Sequence, residues 1–332
     1  MKAVAHTSRD ISSLVDIELP KPAPGPRDLL VKVEAVSVNP VDTKRRADPA
    51  KTDNAPRVLG WDAAGTVAAV GAQVSLFKPG DAVFYAGDVT RPGSNSEFQL
   101  VDERIVGRKP KALDFAHAAA IPLTAITAWE AFFDRMKMRR DSGASVLIIN
   151  GAGGVGSIAI QIAKATGLKV IATASRPETI AWVKELGAQQ VVDHRKPLRP
   201  QIEALGMKQV DYVANFSGEL DQHWSAMADL VAPQGAVVAI VGNREPLPMD
   251  LVRSKSASVC WELMFTRPRF QTPDMIEQHK LLNQVSEWLD AGKLRSTLRE
   301  TLSPINAANL RRAHEKLESG SMIGKLVLEG WA

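Results

Sequence analysis

The chain has 332 residues, a formal net charge of +4 at pH 7, and apolar and charged fractions of 45% and 23%. This length exceeds one ordinary hydrophobic core and predicts two domains, and the balanced composition excludes a disordered or low-complexity protein. The dispersed basic residues do not predict nucleic-acid binding, and the single cysteine, Cys260, excludes an internal disulfide and favours a reducing, cytoplasmic setting.

The first part of the chain, up to about residue 120, predicts a β-rich domain. Alternating apolar and polar side chains predict a strand at 29–38, and shorter strands are expected at 65–70 and 82–85. The sequence Lys-Pro-Gly-Asp at 78–81 predicts a turn before the last of these strands, and the proline-rich segment 20–26 predicts a connector.

From residue 145 the pattern changes to alternating strands and helices, which predicts a parallel, doubly wound sheet. A further strand is expected at the chain end, 325–328, and the tail is expected to return to the first domain. The predicted strands are 145–150, 169–174, 191–193, 210–215, 236–241 and 258–265, and the predicted helices are 154–166, 177–186, 220–231, 275–291 and 306–319.

A glycine-rich turn separates the first strand and first helix of this alternating part. Gly151 is expected to allow the tight turn, Gly153 to let the backbone approach a pyrophosphate, and Gly156 to let the helix pack close to the strand. Gly154 and Val155 belong to the helix N-terminus, whose free N–H groups favour phosphate binding. These residues predict a dinucleotide site, although a ligand-free glycine turn has the same local form.

The uncharged span 146–163 also raises the question of a membrane helix. Four glycines, Asn150 and Gln161 make that span a poor bilayer helix, so no membrane span is expected. The N-terminal residues lack the apolar segment of a secretory signal.

The end of the second strand indicates which dinucleotide binds. NAD-binding proteins place an Asp or Glu there for the ribose 2′-hydroxyl, whereas this strand ends in Ser175 and Arg176, with no carboxylate before Glu178. A hydroxyl and a guanidinium favour the 2′-phosphate of NADP(H), which a carboxylate would repel. The alternative is that Arg176 is an ordinary solvated surface charge.

Two further loops follow predicted strands on the same sheet. Because ligands bind beyond the carboxyl ends of such strands, Phe216, Ser217, Val241 and Gly242 are predicted to contact the cofactor. Ordinary connecting loops remain the alternative for each of them.

Several motifs together resemble the medium-chain dehydrogenase/reductase superfamily, and within it the quinone oxidoreductase branch. They are residues 39–42 (NPVD), 60–65 (GWDAAG), 78–81 (KPGD), the glycines at 151–156, and 324–328 (GKLVL). The resemblance implies an α/β protein with a GroES-like catalytic domain (1–122), a Rossmann NADP(H)-binding domain (123–266) and a C-terminal return to the catalytic domain (267–332). It also implies a homodimer.

The chain departs from the zinc alcohol dehydrogenases of this superfamily. Asn39 stands where they carry a cysteine, Trp61-Asp62 replaces their His-Glu, and Leu123 lies near their further cysteine. One cysteine rules out their four-cysteine lobe, and the histidines at 6, 117, 194, 223, 279 and 314 have no metal-ligand spacing. No metal site is therefore predicted.

Chemistry without a metal favours an acceptor that delocalises negative charge by itself. A quinone or an α,β-unsaturated carbonyl accepts hydride to give a phenolate or enolate, so the resemblance implies NADPH-dependent reduction of such a substrate. An NADPH-binding sensor or structural protein with little turnover is the main alternative, and a zinc alcohol dehydrogenase is a further one.

The resemblance also implies the site residues. Asn39 and Asp42 match the Asn-x-x-Asp motif near the nicotinamide, Lys44 replaces a tyrosine that many relatives use to contact substrate, and Trp61 forms an apolar wall. As alternatives, Asn39 and Asp42 cap a turn and Trp61 belongs to the core.

Two more residues complete the predicted site. Tyr85, one of two tyrosines in the chain, is expected in a cleft loop as a donor to the developing oxyanion, with a core position as the alternative. Thr127 matches the threonine that lies behind the nicotinamide in relatives.

Overall fold

The computed structural model describes residues 1–48 and 55–331. Contacts divide the chain into two compact units: unit 1 comprises residues 1–126 together with the segment from Phe265 onward, and unit 2 comprises Thr127–Met264. The domain roles assigned from the sequence to 1–122, 123–266 and 267–332 stay predictions, because compactness does not assign a role.

The elements follow one another along the chain in three stretches. The N-terminal stretch of unit 1 holds β1 (Lys2–His6), β2 (Leu14–Glu18), β3 (Asp28–Ser37), α1 (Pro40–Arg46), β4 (Arg57–Val58), β5 (Ala63–Val70), β6 (Ala82–Tyr85), β7 (Phe98–Asp102), β8 (Val106–Arg108), α2 (Phe115–Ala119) and the start of α3 (Pro122–Trp129), whose last three residues belong to unit 2. Unit 2 continues with β9 (Ser145–Ile149), α4 (Gly154–Ala165), β10 (Lys169–Thr173), α5 (Pro177–Leu186), β11 (Gln190–Val192), α6 (Leu198–Ala204), β12 (Val210–Asn215), α7 (Leu220–Leu230), β13 (Val231–Ala239), α8 (Asp250–Arg253) and β14 (Ser258–Trp261). Unit 1 resumes with α9 (Thr266–Phe270), α10 (Ile276–Asp290), β15 (Leu298–Leu302), α11 (Ala307–Glu318) and β16 (Lys325–Glu329).

Unit 1 is built on β-sheets, as the alternating pattern predicted. A three-stranded sheet has the order β2-β1-β4, and a seven-stranded sheet has the order β15-β16-β3-β5-β6-β8, with β7 paired to β3. Inward side chains of β3 such as Leu29, Val31 and Val33 lie in one buried cluster with Tyr85 of β6 and Leu326 of β16. Strand β16 runs antiparallel to β3, so the end of the chain completes the sheet on which the N-terminal part is built.

Unit 2 is the predicted doubly wound fold. Its six strands are parallel and follow the order β11-β10-β9-β12-β13-β14, which is the 3-2-1-4-5-6 order of dinucleotide-binding sheets. Asn215 at the end of β12 pairs with both Ile149 and Ala239, the last residues of β9 and β13. The carboxyl ends of these strands therefore meet at one edge of the sheet.

Two predicted strand limits were wrong. β13 begins at Val231 rather than 236, and it passes through the Pro-Gln-Gly segment 233–235 that reads as a turn in the sequence. Gln234 adopts a left-handed conformation there, and the pairing with β12 shifts in register between Val231 and Ala236, so the segment is an irregularity within the strand. β14 ends at Trp261 rather than 265, and the helix α9 begins five residues later, at Thr266.

The uncharged span 146–163 consists of most of β9, the glycine turn and most of α4. Within residues 1–48 and 55–331, no helix combines the length and the apolar character that crossing a bilayer requires.

Candidate functional site

The glycine turn between β9 and α4 is tight because of Asn150 rather than Gly151, which corrects the role expected for that glycine. Asn150 has a φ of 63°, whereas Gly151 does not have a positive φ. Gly151 is required by its surroundings instead, since an added Cβ would lie 2.9 Å from the Cβ of Ala172 on the neighbouring strand. An added Cβ at Gly156 would lie 2.2 Å from the Asn150 carbonyl oxygen, so this glycine permits the close helix–strand packing.

The first turn of α4 is open for a ligand. Gly153 is the N-cap of the helix, and Gly153, Gly154 and Val155 are half-buried while the rest of the helix is largely buried from Gly156 onward. The first N–H groups of a helix lack intrahelical acceptors and carry the positive end of its dipole. This arrangement fits the pyrophosphate of a dinucleotide.

Two arginines, one after β10 and one after the adjacent strand β11, lie near the end of β10. Arg176 is the N-cap residue of α5, and its Nε lies 3.1 Å from a carboxylate oxygen of Glu178. Arg195, which follows the adjacent strand β11, donates from Nη2 to the Ser175 carbonyl oxygen at 2.6 Å and pairs with Asp193. Hydrogen bonds from Arg195 lower the pKa of Asp193 to about 2. Ser175, Arg176 and Arg195 therefore form a partly exposed basic edge at the carboxyl ends of β10 and β11, and binding of a ribose 2′-substituent there stays a prediction.

The other predicted cofactor loops follow neighbouring strands at the same sheet edge. The Phe216 N–H bonds to the Ile149 carbonyl oxygen at 3.2 Å, and its own carbonyl accepts from the Asn150 side chain at 3.1 Å. Ser217 is fixed by a 2.7 Å bond from its hydroxyl to Asn215. Beyond β13, Val241 is half-buried and Gly242 is exposed. The fold thus gathers the predicted cofactor residues around the glycine turn, and their contact with a cofactor stays a prediction.

Thr127, the first residue of unit 2, lies in α3 and is buried.

The helix α3 continues as a π-helix over Glu130–Arg135, and Arg135 donates to Glu262 at 2.8 Å. Burial, together with the neighbouring Glu130 carboxylate, raises the pKa of Glu262 to about 9. Glu130 and Glu262 therefore share one proton at neutral pH beside Arg135. Nothing in the sequence indicated this pair of carboxyl groups.

In unit 1, Asn39 and Asp42 form the beginning of α1. Asn39 is the N-cap residue, and its N–H donates to Asp42 Oδ2 at 2.6 Å, which makes the two residues a capping box. Both side chains are buried. The structure thus contains the cap considered as their structural alternative, and a catalytic role for either stays a prediction.

A lysine of β16 joins this cap to a second buried carboxylate. Lys325 Nζ donates to Asn39 Oδ1 at 2.5 Å, to the Val38 carbonyl oxygen at 2.8 Å and to Asp62 Oδ2 at 3.1 Å. Asn39 Nδ2 donates to the same Asp62 oxygen at 2.9 Å. We call Asn39, Asp42, Asp62 and Lys325 the polar cluster of unit 1.

Burial sets the protonation of this cluster. It raises the pKa of Asp42 to about 7, although the Asn39 N–H and Lys325 act in the opposite direction. It also raises the pKa of Asp62 and lowers that of Lys325, in each case against the attraction between these two groups. The carboxyl group of Asp42 therefore titrates near neutral pH.

The remaining predicted residues of unit 1 differ in exposure. Trp61 is buried, donates from Nε1 to the Asp88 carbonyl oxygen at 3.3 Å, and meets Phe265 edge to face. Lys44 is exposed on α1. The loop position expected for Tyr85 was wrong: it is the last residue of β6, because alternation along the strand points Val83 and Tyr85 into the core. Burial raises the pKa of its phenol.

The sequence reasoning missed Arg195, Asp62 and Lys325 as site residues. Arg195 follows β11, the strand next to β10 in a parallel sheet. Because the carboxyl ends of neighbouring parallel strands lie side by side, the sequence could have predicted that Arg195 lies near Ser175. Asp62 and Lys325 lie within sequence motifs, but the motifs do not show that the two side chains are in contact. That contact depends on the pairing of β16 with β3, which no local sequence pattern indicates.

Comparison with known families accounts for both units. A model described as an alcohol dehydrogenase GroES-like domain matches residues 25–111, and one described as a zinc-binding dehydrogenase matches residues 154–279. The predicted GroES-like domain is thereby confirmed.

Curated relatives align over nearly the whole chain. A zinc-type alcohol dehydrogenase-like protein of Staphylococcus aureus (strain Mu50) is 46% identical over 93% of this chain and 92% of its own length. The 2-methylene-furan-3-one reductase of Solanum lycopersicum is 30% identical over 99% of this chain and 79% of its own.

Solved structures agree with the fold over the full length. A Rhizobium etli CFN 42 protein described as a zinc-dependent alcohol dehydrogenase has a TM-score of 0.94 and 56% identity, covering 100% of this chain and 98% of its own. The quinone oxidoreductase of Pseudomonas syringae pv. tomato DC3000 has a TM-score of 0.83 and 26% identity, covering 99% of both chains.

Zinc, which some of these descriptions imply, does not fit the residues present. At the positions expected for metal ligands stand an amide (Asn39), an indole (Trp61) and an aliphatic side chain (Leu123), whereas zinc takes thiolate, imidazole or carboxylate ligands. The Asn39 oxygen already accepts from an ammonium group, which would repel a second cation. Among the described residues, no group of three or more His, Cys, Asp or Glu side chains is arranged to hold a metal ion.

The family models, the curated relatives and the solved structures agree with one another. The chain belongs to the medium-chain dehydrogenase/reductase superfamily of oxidoreductases, in its quinone oxidoreductase branch.

Proposed function

We propose that the protein is a zinc-independent reductase that uses NADPH to reduce a quinone or an α,β-unsaturated carbonyl. When bound, NADPH supplies a hydride from C4 of its nicotinamide ring. The chain's own residues bind and orient the two reactants, and the acceptor itself delocalises the negative charge that the hydride brings.

The observation that carries this proposal is the polar cluster of unit 1. At the metal-ligand positions of related alcohol dehydrogenases, this chain has a hydrogen-bonded network of amide, carboxylate and ammonium groups. Such a network offers no Lewis acid for an alkoxide, so simple alcohol–ketone exchange lacks its main source of stabilisation. The names of two relatives, a quinone oxidoreductase and a 2-methylene-furan-3-one reductase, support the two acceptor classes.

The basic edge of unit 2 supports NADPH over NADH. Ser175, Arg176 and Arg195 supply a hydroxyl and two guanidinium groups, which suit a phosphate. The carboxylates beside them, Glu178 and Asp193, are each engaged by an arginine rather than placed as a ribose acceptor. We therefore infer that the 2′-phosphate binds at this edge.

We also propose a homodimer in the cytoplasm. β14 is the edge strand of the unit 2 sheet, and Trp261 and Leu263 beside this edge are 46% and 48% exposed. A second copy placed against this edge would pair the open strand and cover both side chains. The cytoplasmic setting rests on the single cysteine and on the need for reduced NADPH.

The test is steady-state oxidation of NADPH and of NADH with 1,4-benzoquinone, 9,10-phenanthrenequinone and a simple enone, together with metal analysis of the purified protein. We expect turnover with at least one of these acceptors, at a rate that is higher with NADPH than with NADH and that a chelator does not change. Tight NADPH binding without turnover on any acceptor would instead establish a binding or sensor protein. Stoichiometric zinc with chelator-sensitive alcohol oxidation would establish a zinc alcohol dehydrogenase.

A further inference from the structure

Three backbone segments of unit 1 meet at one buried ammonium group. Lys325 extends from β16 to the Val38 carbonyl oxygen, the Asn39 amide oxygen and the Asp62 carboxylate, at 2.8, 2.5 and 3.1 Å. Lys325 and Asp62 are almost completely shielded from solvent. All three hydrogens of the ammonium group therefore have acceptors, which is the condition for burying such a charge.

The contacts of this ammonium group extend to each position at which zinc-dependent relatives are expected to hold their metal. It bonds directly to Asn39, whose Nδ2 also lies 3.4 Å from the Trp61 carbonyl oxygen. It pairs with Asp62, whose other oxygen accepts from the Leu123 N–H at 2.8 Å. The ammonium group is thus bonded directly to residue 39, and it is connected to residues 61 and 123 through one intervening side chain each.

The Asn39 side chain is held at both ends of its amide. Its amide nitrogen donates to Asp62 Oδ2 at 2.9 Å and lies 3.2 Å from the Ser37 carbonyl oxygen, and its amide oxygen accepts from Lys325. Without the ammonium group, the amide oxygen would lose this charged donor and the Asp62 carboxylate would lose its counter-charge. The amide would then be held from its nitrogen alone, so its position would be less firmly fixed.

We propose that Lys325 is a positioning residue: its ammonium group fixes the Asn39 amide and, through Asp62, the first turn of α3. An amine thereby organises the three positions that a metal ion organises in zinc-dependent relatives. The kinetic part of this inference rests on the proposed reductase function, whereas its structural part does not.

The test compares three variants with the wild type. Lys325→Ala removes the ammonium group and leaves a hole, Lys325→Met removes the charge and fills the hole, and Lys325→Arg keeps the charge with a different shape. Losing one partner of a buried pair predicts a fall in Tm of roughly 10 °C for the Ala and Met variants. Propylammonium, which corresponds to the atoms missing in the Ala variant, is expected to restore at least half of that loss in Lys325→Ala and nothing in Lys325→Met.

Kinetics separate positioning from plain structural support. Below their Tm, the Ala and Met variants are expected to lose at least about tenfold in kcat with a nearly unchanged Kd for NADPH, since the glycine turn and basic edge lie in unit 2. Propylammonium should raise kcat of Lys325→Ala only. Wild-type kcat in folded Lys325→Met, or equal effects of propylammonium on both variants, would overturn the inference.

Two further outcomes are also decisive. If neither single variant folds, Asp62→Asn/Lys325→Met removes both charges and is expected to fold, because replacing a whole buried pair is tolerated. A kcat still reduced about tenfold in that variant supports the inference, and a wild-type kcat overturns it. If the wild type turns over no quinone or enone, the proposed function fails, while the Tm rescue still decides whether Lys325 is the organising cation.

Discussion

Replacing the arginines of the basic edge should change cofactor selectivity. Each charge-assisted hydrogen bond to a phosphate contributes about 1.5–3 kcal/mol. Binding also costs the ion pair of Arg176 with Glu178, about 0–1 kcal/mol. The net for Arg176 is about 1.5 kcal/mol, or roughly tenfold in affinity, and Arg195 is expected to act in the same direction.

We therefore expect Arg176→Ala to raise the Kd for NADPH about tenfold, Arg195→Ala to raise it in the same direction, and each to raise the Kd for NADH less than about twofold. Glu178→Gln should strengthen NADPH binding a few-fold, because Arg176 no longer has a competing carboxylate. The matched control is Arg253→Ala: Arg253 is a highly exposed arginine of unit 2 that pairs with Asp250, and its loss should leave both constants unchanged.

The assay is fluorescence titration of each variant with NADPH and NADH at one fixed ionic strength, since phosphate contacts are screened by salt. The ratio of the two dissociation constants isolates the 2′-phosphate from every other contact. An Arg176→Ala/Arg195→Ala variant that keeps the wild-type ratio, or a wild type that binds both dinucleotides equally, would refute the reasoning.

Three further changes test other parts of the molecule. Gly156→Ala places a Cβ 2.2 Å from the Asn150 carbonyl oxygen, so cofactor affinity should fall at least about a hundredfold by titration. His314 is buried and its pKa lies near 4, because burial and the charge of a nearby arginine oppose protonation. Its folded pKa lies below the unfolded value of 6.5, so its stabilising contribution is present above about pH 6.5 and falls by up to about 3 kcal/mol as the pH decreases to 4. His314→Leu should therefore reduce the difference between urea midpoints measured at about pH 7.5 and 4.5, and an undiminished difference would contradict this assignment. Trp261→Glu should convert a dimer into a monomer in sedimentation equilibrium, and a dimer that persists would place the interface elsewhere.

Unit 2 could be predicted from sequence because its signals are local. Helix α5 and strand β12 have the limits that were expected, and Pro177 marks the beginning of the helix. The exceptions were β13, which begins five residues before the predicted limit and contains an irregular Pro-Gln-Gly segment, and β14, which ends four residues before the predicted limit.

The candidate site in unit 1 was only partly predictable. Asn39 and Asp42 were recognised from their motif, but local spacing could not indicate that Lys325 lies against them. That contact depends on sheet pairing between the two ends of the chain. The direction of Tyr85 also depends on which face of β6 is buried, and four residues are too few to show it.

The place of β16 in the sheet has a consequence for synthesis on the ribosome. Ser37 and Leu326, which share a hydrogen bond, are separated by 289 residues, whereas unit 2 is one continuous segment. During translation unit 2 can therefore fold as soon as it has left the exit tunnel, while the unit 1 sheet must wait with an uncovered edge at β3 until β16 emerges. Since Lys325 arrives on that same strand, the carboxylates of Asp42 and Asp62 receive their counter-charge only at the last step of folding.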